Sequence, residues 1–141
     1  MKLLTRGTTI VLAFALVLAV GSIGFAQAKT YWFESYQKAV DLVDDDRAAE
    51  ALPLLEALIV DNPVPQIAVR VPGSQFIDYL PHFQSARAHA QLGNFEAASR
   101  SLAESESYGT VNEARRHVTD LTTLQTVVSR SSHAQLAPGQ D

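Results

Sequence analysis

The 141-residue chain contains no cysteine. That excludes disulfides, cysteine-built zinc sites and a lipid anchor on an N-terminal cysteine, so packing alone must hold the folded state. Other chemical signatures are missing too. Ser74 follows Gly73, but no second glycine stands where a G-x-S-x-G nucleophile turn needs it. No glycine-rich phosphate loop occurs, and no EF-hand pattern follows the acidic run Asp44 to Asp46. No pair of carboxylates sits in an apolar setting of the kind that separates an acid from a base. His82 and His89 share a helix face but stand about 10 Å apart by helical rise, too far for one metal ion. His117 and His133 have no ligand partner at metal-site spacing. We therefore assign no catalytic residue, no metal ligand and no cofactor, and the chain is not expected to be an enzyme.

Charge is sparse as well. Charged residues make up 18% of the chain, with a formal net charge of −4. A mildly acidic chain lacks the basic footprint that nucleic acid or anionic lipid requires, so nucleic acid is not an expected partner.

What is present begins with an apolar run. Lys2 and Arg6 precede "IVLAFALVLAV", Ile10 to Val20, and the small-residue sequence "AQA" closes at Ala28. Positive, apolar, then small with an A-x-A end is the order of a secretory signal peptide, expected to span residues 1–28. The chain is then expected to act in the periplasm or outside a bacterial cell. Without the leader it would carry nine basic and fifteen acidic residues. The alternative is an uncleaved segment that tethers the chain to the membrane.

Five helical segments follow. In Tyr31–Val43, residues Phe33, Tyr36, Ala39, Val40 and Val43 recur at spacings of three and four. The segment from Arg47 to Pro63 repeats the pattern with Ala48, Ala51, Leu55 and Leu58, and Asp46 is its expected N-cap. Asp78 to Leu92, capped by Asp78, and Asn94 to Tyr108, capped by Asn94, form another pair. Gly93 between them can take the positive φ that ends a helix, so the two are expected to be an antiparallel hairpin. A fifth helix is expected over Asn112 to Arg130, and the tail 131–141 is expected to be disordered. Residues 64–77, with Pro65, Pro72 and Gly73, cannot continue a helix. Ile67, Val69 and Val71 alternate with polar or small neighbours. A lone strand does not stand by itself, so this stretch is read as an ordered loop.

The two helix pairs superpose in sequence. Ala39, Asp46, Ala48, Ala51, Leu55, Leu58 and Pro63 each lie 47 residues before Ala86, Gly93, Phe95, Ala98, Leu102, Ser105 and Thr110. A common offset across two helix pairs marks an internal repeat. From Trp32 to Thr110 the pattern resembles the tetratricopeptide repeat (TPR). Ala86, Gly93, Phe95, Ala98 and Leu102 stand at that family's small, turn, aromatic, small and large positions. Ala39, Ala51, Leu55 and Pro63 do so in the first unit. The chain departs from the family in its period, in His89 where an aromatic is usual, in Ser105 and Thr110, and in Asp46 where the first unit lacks the turn glycine.

The resemblance implies an all-α fold: two antiparallel helix hairpins in residues 29–130, an inserted loop at 64–77, and a C-terminal capping helix. It also implies a concave face lined by the first helix of each pair, with Tyr36, Val40, Val43, Phe83, Arg87 and Gln91 binding a peptide or partner protein. Arg87 there suits a carboxylate. The function expected is a non-enzymatic interaction module or scaffold. The alternatives are a membrane-tethered assembly factor and a small exported hydrolase or carbohydrate-binding protein using the inserted loop. Two units leave outer faces bare, so a homodimer is also an expectation.

Overall fold

The computed structural model describes residues 31–136. The expected leader and residues 137–141 of the expected tail lie outside these. In chain order the elements are α1 (Trp32–Asp44), α2 (Ala48–Asp61), β1 (Gln66–Val71), β2 (Gln75–Tyr79), α3 (Pro81–Gln91), α4 (Phe95–Ser107), α5 (Thr110–Glu113) and α6 (Val118–Leu136). The fold is predominantly helical with one small antiparallel sheet.

Each helix pair closes through the same turn. Asp46 takes φ +58° and Gly93 φ +75°. The Asp46 N–H bonds the Val43 carbonyl and the Arg47 N–H bonds the Leu42 carbonyl; the Gly93 N–H bonds the Ala90 carbonyl and the Asn94 N–H bonds the His89 carbonyl. These are the paired bonds of a Schellman cap, 47 residues apart. Asp46 is therefore not the N-cap of α2 but the left-handed residue that ends α1, and α2 has no side-chain cap. Asn94 precedes α4 but makes no side-chain cap bond. Pro53 lies inside α2 on an exposed face, and the helix runs on to Asp61.

The helices pack in series: α1 on α2, α2 on α3, α3 on α4, with α6 lying against both α3 and α4. Two core clusters result. Tyr36, Ala39, Val43, Ala51 and Leu55 anchor the first; Phe83, Ala86, Ala98, Leu102 and Leu124 anchor the second. Helix α3 feeds both, with Ala88 in one and Phe83 in the other. It is enclosed so fully that all six residues from Pro81 to Ala86 are buried. The polar ones among them are satisfied. The His82 Nε2–H donates to the Pro63 carbonyl at 3.1 Å, Ser85 Oγ meets Ser101 Oγ at 3.4 Å, and Gln84 Oε1 accepts from Arg87.

Further expectations are corrected. The fold is not purely all-α, because residues 64–77 are not a loop. The strand Gln66–Val71 finds its partner in Gln75–Tyr79, joined by a turn in which Gly73 and Ser74 both take positive φ. Val69, Ile77 and Tyr79 seal the hairpin onto the first core cluster, and this tertiary burial is what stabilises so small a sheet. Helix α3 consequently starts at Pro81, not Asp78, which belongs to β2. The fifth helix is two helices, broken between Ala114 and His117, and α6 runs through 131–136, six residues of the expected tail.

Candidate functional site

Two tyrosines place the hairpin. The Tyr36 hydroxyl of α1 donates to the Asp78 carbonyl at 2.9 Å and accepts from the Leu80 N–H at 2.9 Å. One side chain thus ties α1 to the junction where β2 becomes α3. Burial raises the Tyr36 pKa far above its ordinary value, although the Leu80 donor pulls it the other way. The Tyr79 hydroxyl sits 2.7 Å from the Asn62 carbonyl and 3.1 Å from that of Leu58, pinning β2 to the end of α2. Its pKa is pushed up to about 12, first by burial and then by the charge of Asp61. The Tyr36 and Tyr79 rings meet edge-on at 4.9 Å, and Trp32 closes on Tyr79 at 5.1 Å.

Asp78 makes the third attachment. Its carboxylate is 7% exposed. One oxygen accepts from the Ala68 N–H at 3.0 Å, stabilising a bulge in which Ala68 takes φ +51°. The other accepts from Arg116 at 2.8 Å, with His117 Nε2 at 3.7 Å. The hairpin is thereby strapped to the bend between α5 and α6.

A cleft of about 430 Å³ opens between these parts. Tyr36, Gln37, Val40 and Asp41 of α1 line it, opposite Phe76 and Ile77 of β2, with Asp78, Gln84, Arg116 and His117 completing the wall. Phe76 is 59% exposed. A second groove of about 330 Å³ runs between α3 and α6, lined by Arg87, Ala90, Gln91, Asp120, Leu124 and Val127 among others. Arg87 joins the two, because Gln84 of the cleft accepts its Nη1–H at 2.8 Å.

The six expected binding residues divide across this surface. Val40 lines the cleft; Arg87 and Gln91 line the groove. Tyr36 lines the cleft but is 3% exposed and has its hydroxyl fully engaged. Val43 and Phe83 are wholly buried, one in each core cluster, and present no surface to a partner. Arg87 already holds a carboxylate: its Nη2–H donates to Asp44 of α1 at 2.8 Å. Gln91 donates to the Val43 carbonyl at 2.7 Å. Both straps close α3 onto the end of α1.

The sequence reading missed Phe76, Ile77, Asp78, Arg116, His117 and Asp120. The signal for Phe76 was faint: an aromatic three residues beyond a Pro-Gly turn, with Ile77 beside it, fits the returning strand of a hairpin. Among the described residues no three metal-ligating side chains converge, and no helix is long and apolar enough to cross a membrane. The chain matches no family model, no curated protein and no solved structure.

Proposed function

We propose that this chain is a short TPR-like repeat protein that acts after export as a non-enzymatic interaction module. Its partner, a peptide or a segment of another protein, docks along the face formed by α1, β2, α3 and α6. The observation that carries the reading is the open cleft between α1 and β2, with Phe76 held out at its mouth. An exposed aromatic beside an apolar recess is the usual anchor of a small recognition site. The repeat reading draws on the shared 47-residue offset and on the matching turns at Asp46 and Gly93. The absence of converging catalytic motifs in the sequence favours binding over chemistry.

Two measurements test this. Mass spectrometry of the chain from its native host should show residues 1–28 removed; an intact N-terminus would instead favour the membrane-tethered alternative. A photo-crosslinking residue placed at Gln37 or Gln91 should capture a partner in intact cells, and the same residue at Glu104 on α4 should not. Equal capture from all three positions, or from none, would refute the assignment of this face.

A further inference from the structure

We propose that the segment docking in the cleft is basic and apolar: an aromatic or branched aliphatic side chain seats against Phe76 and Val40, and a neighbouring lysine or arginine pairs with Asp41. This rests on the reading of the cleft as a partner-binding face and names the chemistry of the partner.

The charge balance of the face carries the inference. Its two guanidinium groups are committed within the chain, Arg87 to Asp44 and Arg116 to Asp78. Two carboxylates on the same face are not. Asp41 lines the cleft and Asp120 lines the adjoining groove, both exposed. Neither has an ion-pair partner among the described residues. The face therefore carries two more carboxylates than guanidiniums. Arg87, the cation that the sequence alone singles out to receive a carboxylate, is occupied by the chain's own Asp44. An acidic peptide would have to displace that bond and would still meet Asp41 and Asp120 uncompensated. A second copy of this chain brings a net charge of −4 of its own to the same place. A basic segment meets two unpaired carboxylates while the guanidiniums beside them are already neutralised, and its apolar side chain displaces water from Val40, Ile77 and Phe76 as it docks.

The apolar half of the motif follows from the walls. Val40 and Ile77 are partly buried against the first core cluster, so they present a firm surface, while Phe76 is free to close over an inserted side chain. Asp41 lies one residue beyond Val40 on α1. The anchor and the charge it pairs with are thus adjacent on the partner too.

The experiment is a selection from a displayed library of random heptapeptides on the purified protein, followed by binding measurements with the best synthetic peptide. Retained sequences should be enriched in lysine or arginine next to Phe, Tyr, Trp, Leu, Ile or Val. The double variant D41N/D120N, with an unchanged circular dichroism spectrum, should bind that peptide about tenfold more weakly, the loss of a charge-assisted contact. F76A should weaken it by at least as much, and high salt should weaken it in the parent but little in D41N/D120N. Retained peptides that are acidic or indifferent to charge, with binding lost in F76A but kept in D41N/D120N, would overturn the basic partner and leave the cleft standing. No enrichment, or binding indifferent to F76A, would overturn the cleft itself and this inference with it.

Discussion

Tyr36→Phe removes one oxygen and leaves the ring. In the folded protein that oxygen serves two backbone groups, accepting from the buried Leu80 N–H and donating to the partly buried Asp78 carbonyl. Leu80 is 1% exposed, so its N–H has no route to solvent once the hydroxyl is gone. A buried donor left unsatisfied costs about 1–3 kcal/mol, and the lost bond to the carbonyl adds about 1 kcal/mol. The ring keeps its edge contact with Tyr79, so no cavity penalty enters. The expected loss is therefore about 2–4 kcal/mol. For a domain of this size that lowers Tm by about 10 °C, read by thermal and urea unfolding followed by circular dichroism. Tyr108→Phe is the control: that side chain is 37% exposed, and its removal should change stability by less than about 0.5 kcal/mol. The raised pKa of Tyr36 adds an independent check. Its hydroxyl should stay protonated well above the ordinary tyrosine range in an ultraviolet titration. If Tyr36→Phe is as stable as the parent, the hydroxyl does not join α1 to the start of α3, and the cleft geometry built on it is wrong.

The two matching turns make a reciprocal pair of predictions. Asp46→Gly should raise stability by about 0.5–1 kcal/mol by relieving the left-handed conformation, and Gly93→Ala should lower it by about 1 kcal/mol. A Cβ at Gly93 meets no atom within 4 Å, so the second effect is purely one of backbone conformation; unfolding curves that move the other way would separate the two turns. Stability should also fall as the solution is acidified below about pH 6.5. Burial lowers the pKa of His89, and its Nδ1 is buried without a hydrogen-bond partner. The folded state thus binds fewer protons than the unfolded one. This contribution is complete above the unfolded pKa and is lost as pH falls through the depressed folded value. His89→Phe should flatten the dependence between pH 7 and 5.5, and an unchanged slope would assign the acid sensitivity elsewhere.

Helices α1 to α4 were legible because their information is local. Spacings of three and four mark the buried face, and Gly93 marks a turn by its φ. The repeat offset then carries that turn back to Asp46, where composition alone reads as a cap. Polar residues in α3 obscured its depth. His82, Gln84 and Ser85 break an apolar stripe, yet all three are buried because Pro63, Arg87 and Ser101 satisfy them from elsewhere in the chain or one helical turn away. The run "RRHVTD" from Arg115 to Asp120 reads as continuous helix. The chain bends there instead, and at the bend Arg116 reaches Asp78, 38 residues earlier. The helix after the break runs on past Arg130, where Ser132 Oγ donates to the Val128 carbonyl and both Ser131 and Ser132 are partly covered.

The hairpin was the feature least visible in sequence, and it is the one that makes the cleft. A second strand ending "FIDY" carries an aspartate that no isolated strand would bury. Asp78 is tolerated there because the bulge at Ala68 offers it an N–H and the bend before α6 offers it Arg116. Each partner depends on the others: without the α5–α6 bend the carboxylate is uncompensated, and without the carboxylate the bulge loses its acceptor. The same three-way attachment holds β2 opposite α1. Two helix hairpins alone would leave Val40 on a shallow open face, whereas β2 sets Phe76 and Ile77 across from it and turns that face into a cleft with two apolar walls. Asp78 therefore positions the cleft wall that carries Phe76. Its replacement by asparagine would keep the shape of the side chain but surrender the ion pair, loosening the wall that carries Phe76 while the helical core, built from α1 to α6, stays in place.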